Sequence, residues 1–150
     1  MTAFVTAGAG FLLAVLWFDL MFDVQAARLR PPELPESVLA SIAGYYRRVT
    51  TAARPMNRLI AAVMVGTIAA VIVQLAQGDA PRWAAAVSLA LTVAPITLAA
   101  VHTVPSAVRL GARSDTIVRQ SRLARSILRD HLLCIAAIAV VLVLQLALAR

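Results

Sequence analysis

Four long apolar runs, residues 3–22, 59–76, 83–104 and 132–149, alternate with shorter polar stretches along the chain. A helix needs about 20 apolar residues to cross a hydrocarbon core, so each run predicts one membrane span. The second and fourth runs, at 18 residues each, are expected to extend into their flanks. Between the first two runs the pattern changes. Arg30-Pro31-Pro32-Glu33-Leu34-Pro35 cannot continue a helix, because proline removes a backbone donor and clashes with the preceding turn. Residues 36–53 then place Val38, Ile42, Tyr45 and Val49 at helical period, which predicts an amphipathic helix. Tyr45 and Tyr46 beside Arg47 and Arg48 are the residue types of an interfacial helix, with aromatic rings at an apolar boundary and guanidinium groups in water. Pro55 opens the second span, where a missing N–H costs nothing.

The second polar stretch leaves span three at Pro105 and offers Ser114-Asp115 as a helix N-cap. From Thr116 onward nothing interrupts helical periodicity. Arg119, Arg122, Arg125 and Arg129 share one arc, with Leu123, Ala124, Ile127 and Leu128 across from them. A long fourth helix extending out of the bilayer is expected. Within the spans, small residues recur every four positions (Thr6, Gly10, Ala14; Ala62, Gly66, Ala70; Ala86, Ala90, Ala94), a pattern that lets helices approach closely. Pro95 in span three frees the carbonyl of Leu91 and predicts a kink.

Composition agrees with the pattern. The chain is 61% hydrophobic and 14% charged, against roughly half and a quarter in soluble domains. The expected fold is all-α: a single four-helix transmembrane bundle with an amphipathic interfacial helix between spans one and two. Twelve of the fourteen basic residues, all arginine, lie in residues 23–58 and 105–131. Arginine-rich short loops stay on the cytoplasmic side, so both termini and the turn at 77–82 are expected outside. The N-terminal run lacks the basic start of a signal peptide and reads as a retained span. The all-arginine usage suggests a GC-rich bacterial genome, hence a bacterial inner membrane. The net charge of +7 is accounted for by topology and does not indicate nucleic acid. The expected partners are the lipid bilayer and a membrane protein partner or a second copy. With Cys134 alone, no intrachain disulfide or cysteine-cluster metal site can form.

The candidate chemistry gathers at one level. Asp19 lies inside the end of span one, where a carboxylate is expensive, and Asp23 follows on the same face. Asp19 could pair with Arg58 at the same depth on span two as a structural ion pair. His102 and His131 reach the same layer from spans three and four, near Asn57 and Asp130. Asp19, Asp23 and His102 are the catalytic candidates. Asp19, Asp23, His102 and His131 would suit a divalent metal or a proton relay, and His102 is the best-placed axial ligand for a haem. Gln74 and Gln145, toward the opposite face, can hydrogen-bond across helices. Cys134 reads as a packing residue.

In length, four spans, Leu16-Trp17-Phe18-Asp19 closing span one, and Tyr45-Tyr46-Arg47-Arg48 leading through Arg54-Pro55-Met56 into span two, the chain resembles small bacterial four-helix membrane proteins. These are the HemJ-type protoporphyrinogen oxidases and the anthrone-oxygenase-like proteins. The resemblance implies the bundle architecture. HemJ-type enzymes are expected to carry a histidine within span one; this chain has none there, so no catalytic residue is carried over. The functional expectation is a small inner-membrane protein with an accessory or interaction role. A membrane-embedded oxidoreductase or other enzyme acting on a lipophilic substrate is one alternative, and a small proton-coupled carrier is another.

Overall fold

The computed structural model describes residues 1–27 and 33–149, and every regular element among them is helical. The expected proline break at 30–35 therefore falls partly outside the described residues. The elements are α1 (Thr2–Ala27), α2 (Glu36–Arg47), a π-turn (Arg48–Ala52), α3 (Arg54–Gln77), α4 (Arg82–Leu98), a second π-turn (Ala99–Thr103), α5 (Val104–Ala112) and α6 (Ile117–Leu148). Four helical stretches are long and apolar enough to cross a membrane: Thr2–Ala27, Pro55–Gln77, Arg82–Ala112 and Ile117–Leu148. They form a four-membered ring in which α1 packs on α6 and α3, and α4 packs on the same two helices. Each neighbour in that ring runs antiparallel, as short connections require.

Pro105 does not end the third span. The chain continues helically into α5, and the π-turn before it shows how: the Val104 N–H bonds back to the carbonyl of Ala99, five residues earlier. Widening the turn lets the helix pass a residue that lacks a donor. The first π-turn likewise precedes a proline, Pro55, and is closed by Ala53 N–H to the Arg48 carbonyl at 2.8 Å, with the Asn57 amide donating to the Thr50 carbonyl at 2.8 Å.

α6 is about 48 Å long at 1.5 Å per residue, more than a hydrocarbon core of about 30 Å. Its first third, with α2 and α5, builds a cap with its own core of Leu39, Ile42, Ala43, Tyr46, Leu110, Ala124 and Ile127. The buried stripe of α2 is thus Leu39, Ile42, Ala43 and Tyr46, one position round from the expected one. Val38, Tyr45 and Val49 pack beside it, partly buried. α6 starts on Thr116, whose hydroxyl accepts from the Arg119 N–H, rather than on Ser114-Asp115. Asp115 is held instead by Arg109 at 2.9 Å and Arg119 at 3.5 Å. Arg113 ties the end of α5 to Glu36 at the start of α2.

The spans have a separate core of Val5, Ala9, Leu12, Val71, Ile138 and Val141. Close approach occurs at Gly8, where an added Cβ would sit 2.1 Å from Thr67 Oγ1, and at Gly111, where it would meet the Arg47 backbone at 2.9 Å. Of the expected four-residue ridges, Ala70 joins the span core, but most of the other positions are not contact points. Gly10 and Gly66 have open space where a Cβ would go, and Ala86, Ala90 and Ala94 are exposed.

At the end away from the cap, four helices share a buried amide network. Gln74 Nε2 donates to Gln145 Oε1 at 2.9 Å and Gln145 Nε2 donates back at 3.1 Å, with further bonds to Ser88 and Thr2. Both glutamines are wholly buried. Gln145→Leu leaves Gln74 without its buried partner, and a loss of about 1 kcal/mol is expected, checked by denaturant unfolding in detergent.

Candidate functional site

Between the two cores lies a polar cluster. Asp19 and Asp23 are one turn apart on α1, so both carboxylates leave the same face. The Tyr45 hydroxyl donates to Asp19 Oδ1 at 2.7 Å, and the Tyr46 hydroxyl donates to Asp23 Oδ1 at 2.6 Å. His131 of α6 stands between the carboxylates, with Nδ1 2.6 Å from Asp23 Oδ2 and Nε2 3.8 Å from Asp19 Oδ2. The result is a chain Tyr45–Asp19–His131–Asp23–Tyr46 joining α1, α2 and α6. Phe22 stacks on Tyr45 at 4.1 Å between ring centres, and Tyr45 meets Tyr46 edge-on at 5.3 Å.

The cluster is closed. Asp23 is fully buried, and the side chains of His131 and Asp19 are only 9% and 15% exposed. Each carboxylate takes one phenol donor on Oδ1, and the His131 ring stands between their Oδ2 atoms. Burial, and then the charge of Asp19, push the Tyr45 phenol well above the usual tyrosine range. Burial, and then the charge of Asp23, do the same for Tyr46. Both phenols therefore remain O–H donors at physiological pH.

A second pair lies beside the first. Asp130 Oδ2 accepts from His102, with Nδ1 at 2.6 Å, and from the Thr103 hydroxyl at 3.0 Å. Asp130 is 5% exposed and His102 46% exposed. Asp130 and His131 are consecutive on a helix and so point about 100° apart; one faces the second π-turn and the other faces α1. That geometry separates the expected four-residue set. Asp19, Asp23 and His131 come together, and His102 joins Asp130 instead. Among the described residues no group of three or more His, Cys, Asp or Glu side chains could hold a metal ion. His102, placed as a haem ligand from sequence, lies at the bundle surface with Nε2 as its free nitrogen.

The Asp19–Arg58 ion pair does not form. The carboxylate faces α2 and α6, whereas Arg58 stands exposed on α3. Asn57 closes its local π-turn and lies outside the cluster. Cys134 is buried, its thiol donating to the Pro95 carbonyl at 3.8 Å. Arg47 and Arg48 are exposed. Sequence reasoning missed the partnership of Tyr45 and Tyr46 with the carboxylates. The available signal was two adjacent phenols in the segment following two acids one turn apart.

The two best-formed surface clefts lie elsewhere, one along the start of α6 and one between α2 and Gly111. Comparison with protein-family models, with curated proteins and with solved structures found no match to this chain.

Proposed function

We propose that the chain is a four-span inner-membrane protein that works through contacts with other membrane components, its arginine-rich cap on the cytoplasmic side and both termini outside. α2 then lies at the level of the inner leaflet, its apolar stripe on the cap core and Arg47 and Arg48 outward. The HemJ-like and anthrone-oxygenase-like outline is compatible with this architecture. The observation that carries the reading is the closure of the Tyr–Asp–His–Asp–Tyr chain. Its two carboxylates are satisfied from within the fold, so the cluster fastens the cap to the spans. Lipid-phase cross-linking and purification from native membranes is expected to capture a stoichiometric membrane partner or a second copy, and Asp19→Asn is expected to retain it. A monomer whose activity on a lipophilic compound is abolished by Asp19→Asn would reverse the reading. For orientation, Ser41→Cys in a Cys134→Ala background should react with an impermeant thiol reagent only after cells are opened.

A second reading rests on His102. Asp130 fixes Nδ1 as the donor, leaving Nε2 as a base at the bundle surface. That is the arrangement of an acid–base dyad for a lipophilic substrate, and loss of one activity in both His102→Ala and Asp130→Asn would favour it. The carrier reading has less support. His131 and Gln145 are about 21 Å apart along α6, and Ile138 and Val141 fill the buried face between them.

A further inference from the structure

The arginines of α6 occupy a defined side of that helix. Asp130 faces the second π-turn of the third span and His131 faces α1. Stepping back one residue from Asp130 rotates about 100° away from α1, which puts Arg129 on the outward side of α6. Arg122, one heptad earlier, falls within about 20° of it, and Ser126 lies between them in register. A cleft of about 480 Å³ runs along this side, lined by Thr116, Arg119, Arg122 and Ser126 among others.

Charge decides what fits. Arg119 already meets Asp115. Arg122 and Arg129 are exposed and have no carboxylate within ion-pair distance among the described residues. Nor is there acid to spare at this end. Asp19, Asp23, Glu36, Asp115 and Asp130 all have partners, which leaves Glu33. Toward the spans the exposed surface is apolar: Leu132 and Leu133 on α6 are 51% and 58% exposed, and Val101 in the second π-turn is 70% exposed. Two exposed guanidinium groups, those of Arg122 and Arg129, above bare hydrocarbon match an amphiphile with an anionic head better than a soluble anion.

We propose that the outward face of α6 binds an anionic phospholipid, its phosphate held by Arg129 and Arg122 with the Ser126 hydroxyl, and its acyl chains lying on Leu132 and Leu133. The proposal rests on the membrane-spanning reading and adds a specific ligand to it.

The test uses the full chain in detergent, delipidated and then exposed to mixed phosphatidylglycerol and phosphatidylcholine, with retained lipid read by native mass spectrometry. Wild type is expected to retain phosphatidylglycerol preferentially. Arg122→Gln with Arg129→Gln should reduce that preference roughly tenfold or more, since each juxtamembrane cation contributes a several-fold factor. Arg47→Gln with Arg48→Gln removes the same charge from the α2 side and should leave the preference intact, as should excess inorganic phosphate. Equal losses in the two double variants would reduce the effect to diffuse electrostatics and overturn the proposal. So would displacement by phosphate, or no preference in wild type. Alkaline carbonate extraction of native membranes separates the two levels. A chain that stays with the membrane while showing no lipid preference defeats only the lipid site, whereas a chain released by carbonate defeats the spanning reading as well.

Discussion

Asp23→Ala is expected to destabilise the folded bundle by about 3–5 kcal/mol, the range for removing one member of a buried charged pair. Asp23 is fully buried and accepts from Tyr46 at 2.6 Å and from His131 at 2.6 Å. Alanine leaves a phenol and an imidazole without acceptors inside a closed layer, and it leaves a cavity where the carboxylate stood. Asp23→Asn retains an acceptor oxygen and loses the charge, so its effect should be smaller. Unfolding in mixed micelles followed by circular dichroism gives both values. The cap should respond first. With the α1–α2 tie weakened, amide exchange in α2 should rise more than exchange in the outer halves of the spans, where the Gln74–Gln145 network is untouched.

Gly111→Ala should have the next largest effect, about 1–3 kcal/mol from overpacking. Its Cβ would stand 2.9 Å from the Arg47 backbone nitrogen and 3.1 Å from Arg47 Cα. Because those neighbours are backbone, no rotamer change relieves the clash, and α5 has to move off α2. Gly8→Ala is partly relieved by comparison, since the atoms it meets belong to the Thr67 side chain. Gly10→Ala and Gly66→Ala provide the contrast: each enters open space within a helix, where alanine is favoured by roughly 0.5–1 kcal/mol. If Gly111→Ala proved as harmless as Gly66→Ala, the α2–α5 contact would be wrong.

The spans were legible because a bilayer tolerates little except long apolar helices, and that demand is written in composition over about 20 residues. Phase within a short helix was harder to read. In α2, Val38, Leu39, Ile42, Ala43, Tyr45 and Tyr46 are all apolar enough to be buried, so period alone could not choose between adjacent arcs. Ser114, Asp115 and Thr116 are three successive capping residues. The choice of Thr116 follows from Asp115 being drawn to Arg109 and Arg119, a tertiary effect. Depth placed Asp19, Asp23, His102 and His131 in one layer, but depth carries no direction. The separation of His102 from the other three depends on the rotation of α6 between Asp130 and His131. Apart from Ala70, which joins the span core, the four-residue ridges misled because alanine is abundant in the spans, whereas Gly8 and Gly111 lie where another element crosses.

The chain contains only two tyrosines, and both donate to carboxylates in the central cluster. Each phenol is held above its ordinary range, first by burial and then by a neighbouring carboxylate. A raised pKa favours the protonated form in the fold. The stabilisation is therefore complete below about pH 10, where an unfolded tyrosine titrates, and is lost as pH rises beyond it. An alkaline titration of tyrosinate absorbance in detergent reads these two residues and no others. The expected result is no tyrosinate signal at the pH where free tyrosine ionises, followed by a sharp rise that coincides with unfolding. A gradual rise with a midpoint near 10 while the helices remain intact would contradict the closed Tyr–Asp–His–Asp–Tyr chain.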